Sequence, residues 1–202
     1  MTPRFSRGFT LIETMVAITI MTLAVLAPFA AVQQVVKATN MSKDQLIASF
    51  LAQEGMEYVR FVRYTNWLSS VAATGDVSDG AYNPIEGLDG NNGPDCTGTY
   101  KCTLDAREAP YDAGGDINGI AWCANPGHAN CAPLYLTADG LYTQETADSS
   151  GTAYTRTPFT RSININDDNL DEGYITVTVT LTWNDHGART MTLTEDMYDW
   201  LQ

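Results

Sequence analysis

Basic residues and histidine are scarce in this sequence. Its 202 residues include 11 Lys and Arg against 24 Asp and Glu, which gives a formal net charge of -13. Affinity for nucleic-acid phosphates comes mostly from clustered Lys and Arg that release counterions. The composition therefore argues against general binding of DNA or RNA. The apolar fraction of 44% excludes wholesale disorder and is sufficient for one globular domain.

Recognisable catalytic motifs are also missing. The two histidines, His128 and His186, lie in turn-like segments, and the sequence contains no G-x-S-x-G, H-E-x-x-H or phosphate-binding glycine loop. The abundance of acidic residues makes any single carboxylate pair uninformative. We therefore predict that the chain is not an enzyme and that it holds no cofactor and no metal.

Charge is absent from Thr14–Val36, a mainly apolar run of 23 residues. About 20 such residues span the ~30 Å hydrocarbon core of a bilayer as a helix. The preceding leader, Met1–Gly8, carries Arg4 and Arg7 and no acid, which favours a cytoplasmic N-terminus and an extracytoplasmic remainder. The run thus predicts a single-pass anchor, and Ala30-Ala31 leaves an ordinary cleaved signal peptide as the alternative.

Glu13 is unusual because it stands at the start of this apolar run. A carboxylate inside a membrane costs a few kcal/mol unless a nearby group compensates for it. An acid at the interface-level end of a helix can also simply interact with the helix dipole. The residues around Glu13 decide between these interpretations.

The segment Arg7-Gly8-Phe9-Thr10-Leu11-Ile12-Glu13 resembles the processing signal of type IV pilins and of the related pseudopilins of type II secretion. In that family a prepilin peptidase cuts after the glycine, the new terminal phenylalanine is N-methylated, and the fifth mature residue is glutamate. The resemblance implies processing between Gly8 and Phe9, methylation of Phe9, and an assembly role for Glu13. Pairing of Glu13 with the terminal amine of a neighbouring subunit would favour one axial register.

The resemblance also implies partners and a location. The precursor is expected in the cytoplasmic (inner) membrane, in contact with lipid and with its head extracytoplasmic. The prepilin peptidase, an inner-membrane assembly platform and other pilin subunits are the expected partners, and they would build a helical homo- or hetero-filament. Repeated head-to-tail contacts that do not close produce such a filament. Its final place would be an extracellular pilus or a periplasmic pseudopilus.

The fold expected from the resemblance is α+β, with a long N-terminal helix packed against a C-terminal antiparallel sheet. The helical pattern runs to about Ser70, and Pro28 is its one strong interruption. We expect a kink near Pro28 and a role for it in assembly. The predicted segments are the leader 1–8, the transmembrane and assembly helix 9–36, an amphipathic helix 37–70 and the head 71–202. The apolar residues that predict packing of the amphipathic helix on the sheet are Leu46, Ile47, Phe50, Leu51, Met56, Val59 and Val62.

The head begins with glycine-punctuated polar runs that are typical of loops and turns. The clearest strands come late. Strict alternation over Ile175–Trp183, turn residues at Asn184–Gly187 and a second alternation over Arg189–Thr194 predict a hairpin. Phe159–Ile165 predicts a third strand, and a sheet of about four strands follows.

All four cysteines, Cys96, Cys102, Cys123 and Cys131, fall in the part predicted to be exported, where disulfides form. They allow three connectivities, and the sequence alone does not choose among them. We favour the local pairs, Cys96 with Cys102 and Cys123 with Cys131, because short loops close easily. A zinc site that includes His128 is the alternative, although the C-x5-C and C-x7-C spacings lack the tight C-x2-C of structural zinc sites.

Two acidic segments, Asp89–Asp95 and Asn164–Glu172, offer oxygen ligands at close intervals. Neither reproduces the calcium-loop pattern D-x-[DN]-x-[DN]-G. Asp, Asn and Gly are also common turn formers, so we predict solvated turns.

Taken together, these features predict a structural subunit of a type IV pilus or pilus-like filament that serves surface attachment, motility or related transport. The late hairpin with Trp183, followed by Trp200, resembles minor pilins and pseudopilins more than a compact major pilin. A pseudopilin of a type II secretion system is the alternative. A single-pass, membrane-anchored extracytoplasmic enzyme or binding protein is the remote alternative.

Overall fold

The computed structural model describes residues 8–74, 83–91, 93–105, 107–108, 117–124, 131–185 and 187–198. Within them the fold is α+β, as predicted, with one long helix and seven strands. The elements are α1 (Leu11–Thr74), β1 (Lys101–Leu104), β2 (Ile120–Ala124), β3 (Pro133–Leu136), β4 (Tyr142–Thr143), β5 (Thr155–Asn166), a 3-10 turn (Leu170–Glu172), β6 (Tyr174–Asn184) and β7 (Ala188–Tyr198). The chain divides into two compact units between Asp44 and Gln45.

The first unit contains the N-terminal part of α1. The side chains described between Leu11 and Asn40 are all exposed. The helix continues through Pro28, whose missing N–H removes one internal hydrogen bond. A kink at that residue stays a prediction, as do the segment boundaries at residues 36 and 70.

The second unit has one core, formed by the C-terminal part of α1 and the sheet. The helix contributes Ala48, Leu51, Ala52, Met56, Tyr58, Val59 and Val62, and the two longest buried strand faces contribute Phe159, Ile163, Ile165, Ile175, Val177, Val179, Leu181 and Trp183. The predicted packing face of α1 is therefore largely correct. Leu46 and Phe50 were expected on that face but are exposed. They lie on the side of the helix opposite Leu51, Gly55 and Val62.

Gly55 lies at a close contact between α1 and the sheet. A Cβ atom on Gly55 would be 3.0 Å from Cγ1 of Val179 and 3.6 Å from Cδ of Arg161. Val179 is fully buried, so it has little room to move aside. Glycine thus permits a close approach of helix and sheet at this point.

β5 is the central strand of a seven-stranded antiparallel sheet. One edge of β5 pairs with β6, and β6 pairs in turn with β7; the other edge pairs with β1 and, further along, with β3. β2 extends β1, and β4 extends β3. The β6–β7 hairpin and β5 were predicted, with slightly shorter bounds. The predicted count of about four strands is wrong, because β1 to β4 are only two to five residues long and too short to show a period of two.

The cysteines form the two local disulfides that the loop-length argument favoured. Cys96 pairs with Cys102 and Cys123 with Cys131, with Cα–Cα distances of 5.2 Å and 4.2 Å. The first bridge holds the loop that precedes β1 against the sheet, where the peptide N–H of Ile165 donates to the carbonyl of Cys96 at 2.8 Å. The thiols that the zinc alternative needs are thus joined to each other, and His128 lies outside the described residues.

Candidate processing and assembly site

The predicted cleavage point lies just before the helix. Gly8, Phe9 and Thr10 are non-helical, and α1 begins at Leu11. Among the described residues, and leaving out Gly8 and its chain neighbours, no heavy atom lies within 4 Å of the position of a Cβ on Gly8, and Phe9 is 83% exposed. The described part of the chain therefore leaves space for a side chain at position 8. A requirement for glycine there would come from an external protein that must reach the Gly8–Phe9 peptide bond.

Thr10 caps the N-terminus of α1. The peptide N–H of Glu13 donates to Oγ1 of Thr10 at 3.3 Å and to its carbonyl at 3.1 Å, and the N–H of Thr14 donates to the same carbonyl at 3.2 Å. Thr10 and Glu13 have the S/T-x-x-E spacing of a capping box. Glu13 stands in the first turn, where the helix dipole favours a negative charge. The helix therefore starts at a fixed residue and presents an exposed carboxylate one turn after the predicted cleavage point.

The apolar part of α1 has the properties of a membrane span. By length and composition one helix of the described residues, Leu11–Ala72, could cross a bilayer, and none of its most apolar window is buried. The hydroxyls of Thr14, Thr19 and Thr22 donate to carbonyls of the preceding turn at 2.8–2.9 Å. Such internal hydrogen bonds allow threonine to face hydrocarbon without an unsatisfied donor.

The exposed apolar surface of this segment is extensive. Among its large side chains, Leu11, Ile12, Met15, Val16, Ile18, Ile20, Met21, Leu23, Val25, Leu26, Phe29, Val32, Val35 and Val36 are all more than half exposed. A contiguous apolar surface of this size marks an interface with lipid or with another protein. We therefore expect this segment to be covered by lipid or by other protein chains.

Sequence reasoning missed a buried charge in the second unit. Arg161 is fully buried on the inward face of β5. Its guanidinium donates to Glu54, to the carbonyl of Leu51 at 3.1 Å and to the carbonyl of Leu104 at 2.7 Å. It thus joins α1, β5 and β1. Burial lowers the pKa of Arg161, and the nearby Glu54 carboxylate opposes that effect.

A second polar cluster surrounds Asp105, which follows β1. Its carboxylate accepts hydrogen bonds from the Thr143 hydroxyl and from Arg107, and Arg107 also donates to Glu145 at 2.7 Å. Burial alone would raise the pKa of Asp105, but the hydrogen bonds from Thr143 and Arg107 outweigh it and hold the pKa below its usual value. The cluster holds Asp105 and Arg107, just after β1, against β4, and its four side chains, Asp105, Arg107, Thr143 and Glu145, are hydrogen-bonded to one another, which is the character of a structural network.

The first acidic segment, where it is described, bends back on itself with a bridge between Asp89 and Asp95, as predicted for a turn. The second is only partly a turn, because residues 164–166 belong to β5 and the turn follows them. Oδ1 of Asp89 accepts from the N–H of Asn91 at 3.0 Å, and Oδ1 of Asp95 accepts from the N–H of Thr97 at 2.9 Å. In the other segment, Oδ1 of Asn166 accepts from the N–H of Asp168 at 2.8 Å. These carboxylate and amide oxygens hold their own backbone. Among the described residues, no group of three or more His, Cys, Asp or Glu side chains is arranged to hold a metal.

Residues 3–27 match the family model described as the prokaryotic N-terminal methylation motif. This motif is the prepilin signature of type IV pilins and pseudopilins, so the resemblance of the sequence to that signature is confirmed. The motif implies processing by a prepilin peptidase and assembly with other pilins, and it suggests a structural protein. With the apolar helix it fits a membrane-anchored precursor. No curated protein and no solved structure matches the chain.

Proposed function

We propose that this chain is a structural subunit, most like a minor pilin, of a type IV pilus or pilus-like filament. It is cut after Gly8, N-methylated at Phe9 and assembled through the N-terminal part of α1. It lies in the cytoplasmic membrane as a precursor with its head extracytoplasmic, and it is then extracted into the filament by an assembly platform. The filament serves attachment, motility or related transport.

The observation that carries this proposal is the position of the methylation motif on the structure. The matched residues 3–27 cover the exposed Gly8–Phe9 bond, the Thr10 cap and the start of the apolar helix. A peptidase can therefore reach the bond without unfolding the helix, and the apolar surface behind it can pass from lipid to neighbouring helices of the same kind. Helices in a membrane-like environment associate through close packing and interhelical polar contacts.

Electrostatics gives Glu13 a specific part in assembly. Cleavage removes Arg4 and Arg7 and no acid, so the formal net charge moves from -13 to -15, and repulsion between the acidic subunits must be overcome. The new amine of Phe9 and the carboxylate of Glu13 are the opposite charges of an otherwise apolar segment. An ion pair between the amine of one subunit and the Glu13 of the next would leave neither charge unpaired in the helical bundle.

Processing is tested with Gly8→Val expressed in a host that has a prepilin peptidase. Uncut precursor should accumulate in the membrane fraction, visible as a chain that keeps residues 1–8. Leu23→Ala, an exposed change within the apolar helix, is the control and should be cut like the wild type. Normal trimming of Gly8→Val would contradict the cleavage assignment.

Assembly is tested separately with Glu13→Gln, which keeps the shape of the side chain and removes its charge. This variant should be cut normally but should be at least tenfold depleted from sheared surface filaments, an effect of the size expected when a charge is left without its partner. Glu57→Gln, on the exposed side of the same helix, is the matched control. A wild-type filament yield for Glu13→Gln would remove Glu13 from the account.

The pseudopilin alternative shares the same motif, so abundance separates the two functions. A trace level in sheared surface filaments supports a minor pilin, and a dominant level identifies a major pilin. Absence from surface filaments, together with loss of protein secretion when the chain is deleted, would favour the pseudopilin.

A further inference from the structure

The outward face of the β6–β7 hairpin carries an ordered array of hydroxyl groups. Every second residue from Thr176 to Thr182 on β6 and from Thr190 to Thr194 on β7 is threonine. The residues between them on β6, such as Val177 and Val179, are buried in the core, so the threonines point away from it. We call these seven threonines, with Tyr174, Asp196 and Tyr198 at one end, the threonine face.

The strand register places the hydroxyls in rows. Thr178 is opposite Thr194, Thr180 opposite Thr192 and Thr182 opposite Thr190. Oγ1 of Thr178 and Oγ1 of Thr194 are 3.4 Å apart. Within a row, the two strands lie about 4.8 Å apart, and successive rows are about 6.8 Å apart along the strands. The result is a regular grid in which each hydroxyl can both donate and accept a hydrogen bond.

An aromatic pair and a carboxylate complete the face. Tyr174 is opposite Tyr198, and their ring centroids are 5.1 Å apart with a tilt of 31°. Tyr198 is 59% exposed. In the next row Oδ1 of Asp196 accepts from the Thr176 hydroxyl at 2.7 Å. Tyr174 is half-buried, so the exposed ring of Tyr198, backed by Tyr174, is the apolar platform beside the carboxylate and the hydroxyls.

Strand propensity explains part of this pattern, because threonine is β-branched and stable in strands. Tyrosine also favours strands, and aromatic cross-strand pairs stabilise sheets, so the argument for a ligand rests on the exposure of Tyr198 and on the charge of the face. Asp196 is the one charged side chain of the threonine face, although the chain as a whole is strongly acidic. A nearly neutral surface is not complementary to a polycation or a polyanion. It is complementary to a neutral partner with many hydroxyl groups.

We propose that the threonine face binds a neutral polysaccharide. The tyrosine rings would pack on the C–H face of a sugar ring, Asp196 would accept hydrogen bonds from sugar hydroxyls, and the threonine rows would follow the repeating units, directly or through water. A polymer matches the face because the sugar units of a polysaccharide and the threonine rows of the face are both regularly repeated. The inference rests on the proposed function only for the location of this surface outside the cell.

The test uses the full chain, purified in a detergent without a sugar headgroup, and cosedimentation with insoluble cellulose, chitin and starch. We expect retention on at least one polymer and release by soluble oligosaccharides of that polymer. Tyr198→Ala should weaken retention about tenfold, as is typical of an aromatic anchor. The double variant Thr178→Val and Thr192→Val, which keeps side-chain shape and removes two hydroxyls, should weaken it about fivefold or more.

Two matched controls separate recognition from folding. Tyr64→Ala removes a tyrosine of nearly equal exposure, 57%, from α1, and Thr39→Val removes a hydroxyl that donates within the helix; both should retain wild-type binding. Arg63 donates to the backbone carbonyl of Tyr198, a contact that Tyr198→Ala can keep, and thermal unfolding of each variant checks the fold.

Three results would overturn the proposal. The first is that the wild type binds none of the three polymers. The second is that the face variants are retained as well as the wild type. The third is that the face variants change the self-association of the free chain while no polymer is bound. The last result would assign the face to contacts between copies of the chain. Cleavage at Gly8 is scored independently on the same preparation by mass, so failure here is distinguishable from failure of the filament proposal.

Discussion

The two parts of α1 differ in whether their apolar side chains are buried within the chain. Between Gln45 and Val62 the helix buries Leu51, Met56 and Val59 in the core of the second unit. Between Leu11 and Val36 the apolar side chains that the structure describes are exposed. In one part of α1 the apolar residues pack on the sheet of the same chain. In the other part we expect them to pack on lipid or on other chains. Substitutions in the C-terminal part should therefore lower the free energy of unfolding, and substitutions in the N-terminal part should affect assembly instead.

A large effect on the stability of the second unit is expected at the ion pair of Glu54 and Arg161. Glu54→Gln leaves the fully buried Arg161 cation without its carboxylate. Because the Glu54 side chain is 37% exposed, the loss of unfolding free energy should lie at the lower end of the range for a buried pair, about 3 kcal/mol. Denaturant titration followed by far-UV circular dichroism measures it. Glu57→Gln, one turn further along and 67% exposed, should change it by less than about 0.5 kcal/mol.

Adding Arg161→Met to Glu54→Gln separates charge from packing. If an unpaired cation is the cause, the double variant should recover most of the lost stability, because an apolar side chain of similar volume can replace a buried charge. A double variant as unstable as Glu54→Gln alone would show that the guanidinium contacts to the carbonyls of Leu51 and Leu104 matter more than the charge.

The next effect compares the two parts of the helix directly. Leu51→Ala should cost about 2–5 kcal/mol of unfolding free energy, because it removes a buried side chain and leaves a cavity. Leu23→Ala, in the exposed apolar part, should leave unfolding of the second unit unchanged. A large loss of stability from Leu23→Ala would show that the two parts are not distinguished in this way.

A smaller loss is expected from the Cys96–Cys102 disulfide. Replacing both cysteines with serine opens a short loop and should cost about 2 kcal/mol. Intact mass before and after reduction should first show two disulfides in the wild type. Four free thiols in the purified oxidised protein would contradict the pairing.

The smallest effect is the dependence of stability on pH that comes from Asp105. The pKa of Asp105 is lowered in the fold, so its contribution is present above the unfolded pKa of about 3.9 and is lost as the pH falls through the folded value. Unfolding free energies near pH 6 and near pH 3 should therefore differ less in Asp105→Asn than in the wild type. Asp139→Asn, at an exposed turn, should keep the wild-type difference.

The elements that could be read from the sequence are the local ones. The processing motif and the long alternation of β6 each depend on residues close together in the chain. β1 and β3 are held in place by β5, which lies far away in sequence, and β2 and β4 pair in turn with β1 and β3. Their residues carry too short a pattern to reveal a strand.

Arg161 was missed because a charged residue in a predicted strand is usually assigned to the solvent face. The alternation along the strand did indicate burial, because Arg161 is two residues from both Phe159 and Ile163, which are buried on the same face. The partner Glu54 could not be identified, because that pairing depends on how the helix lies across the sheet. The threonine face was visible as a hydroxyl-rich side of the hairpin, but its aromatic end needed the register that puts Tyr174 opposite Tyr198.

The most direct test of the central claim is the mass of the N-terminal peptide from the chain isolated from its native cells. We expect a peptide that begins at Phe9 and carries one methyl group on its amine, recovered from assembled filaments. A mature chain that begins at any other residue, or one that keeps residues 1–8 in its assembled form, would contradict it.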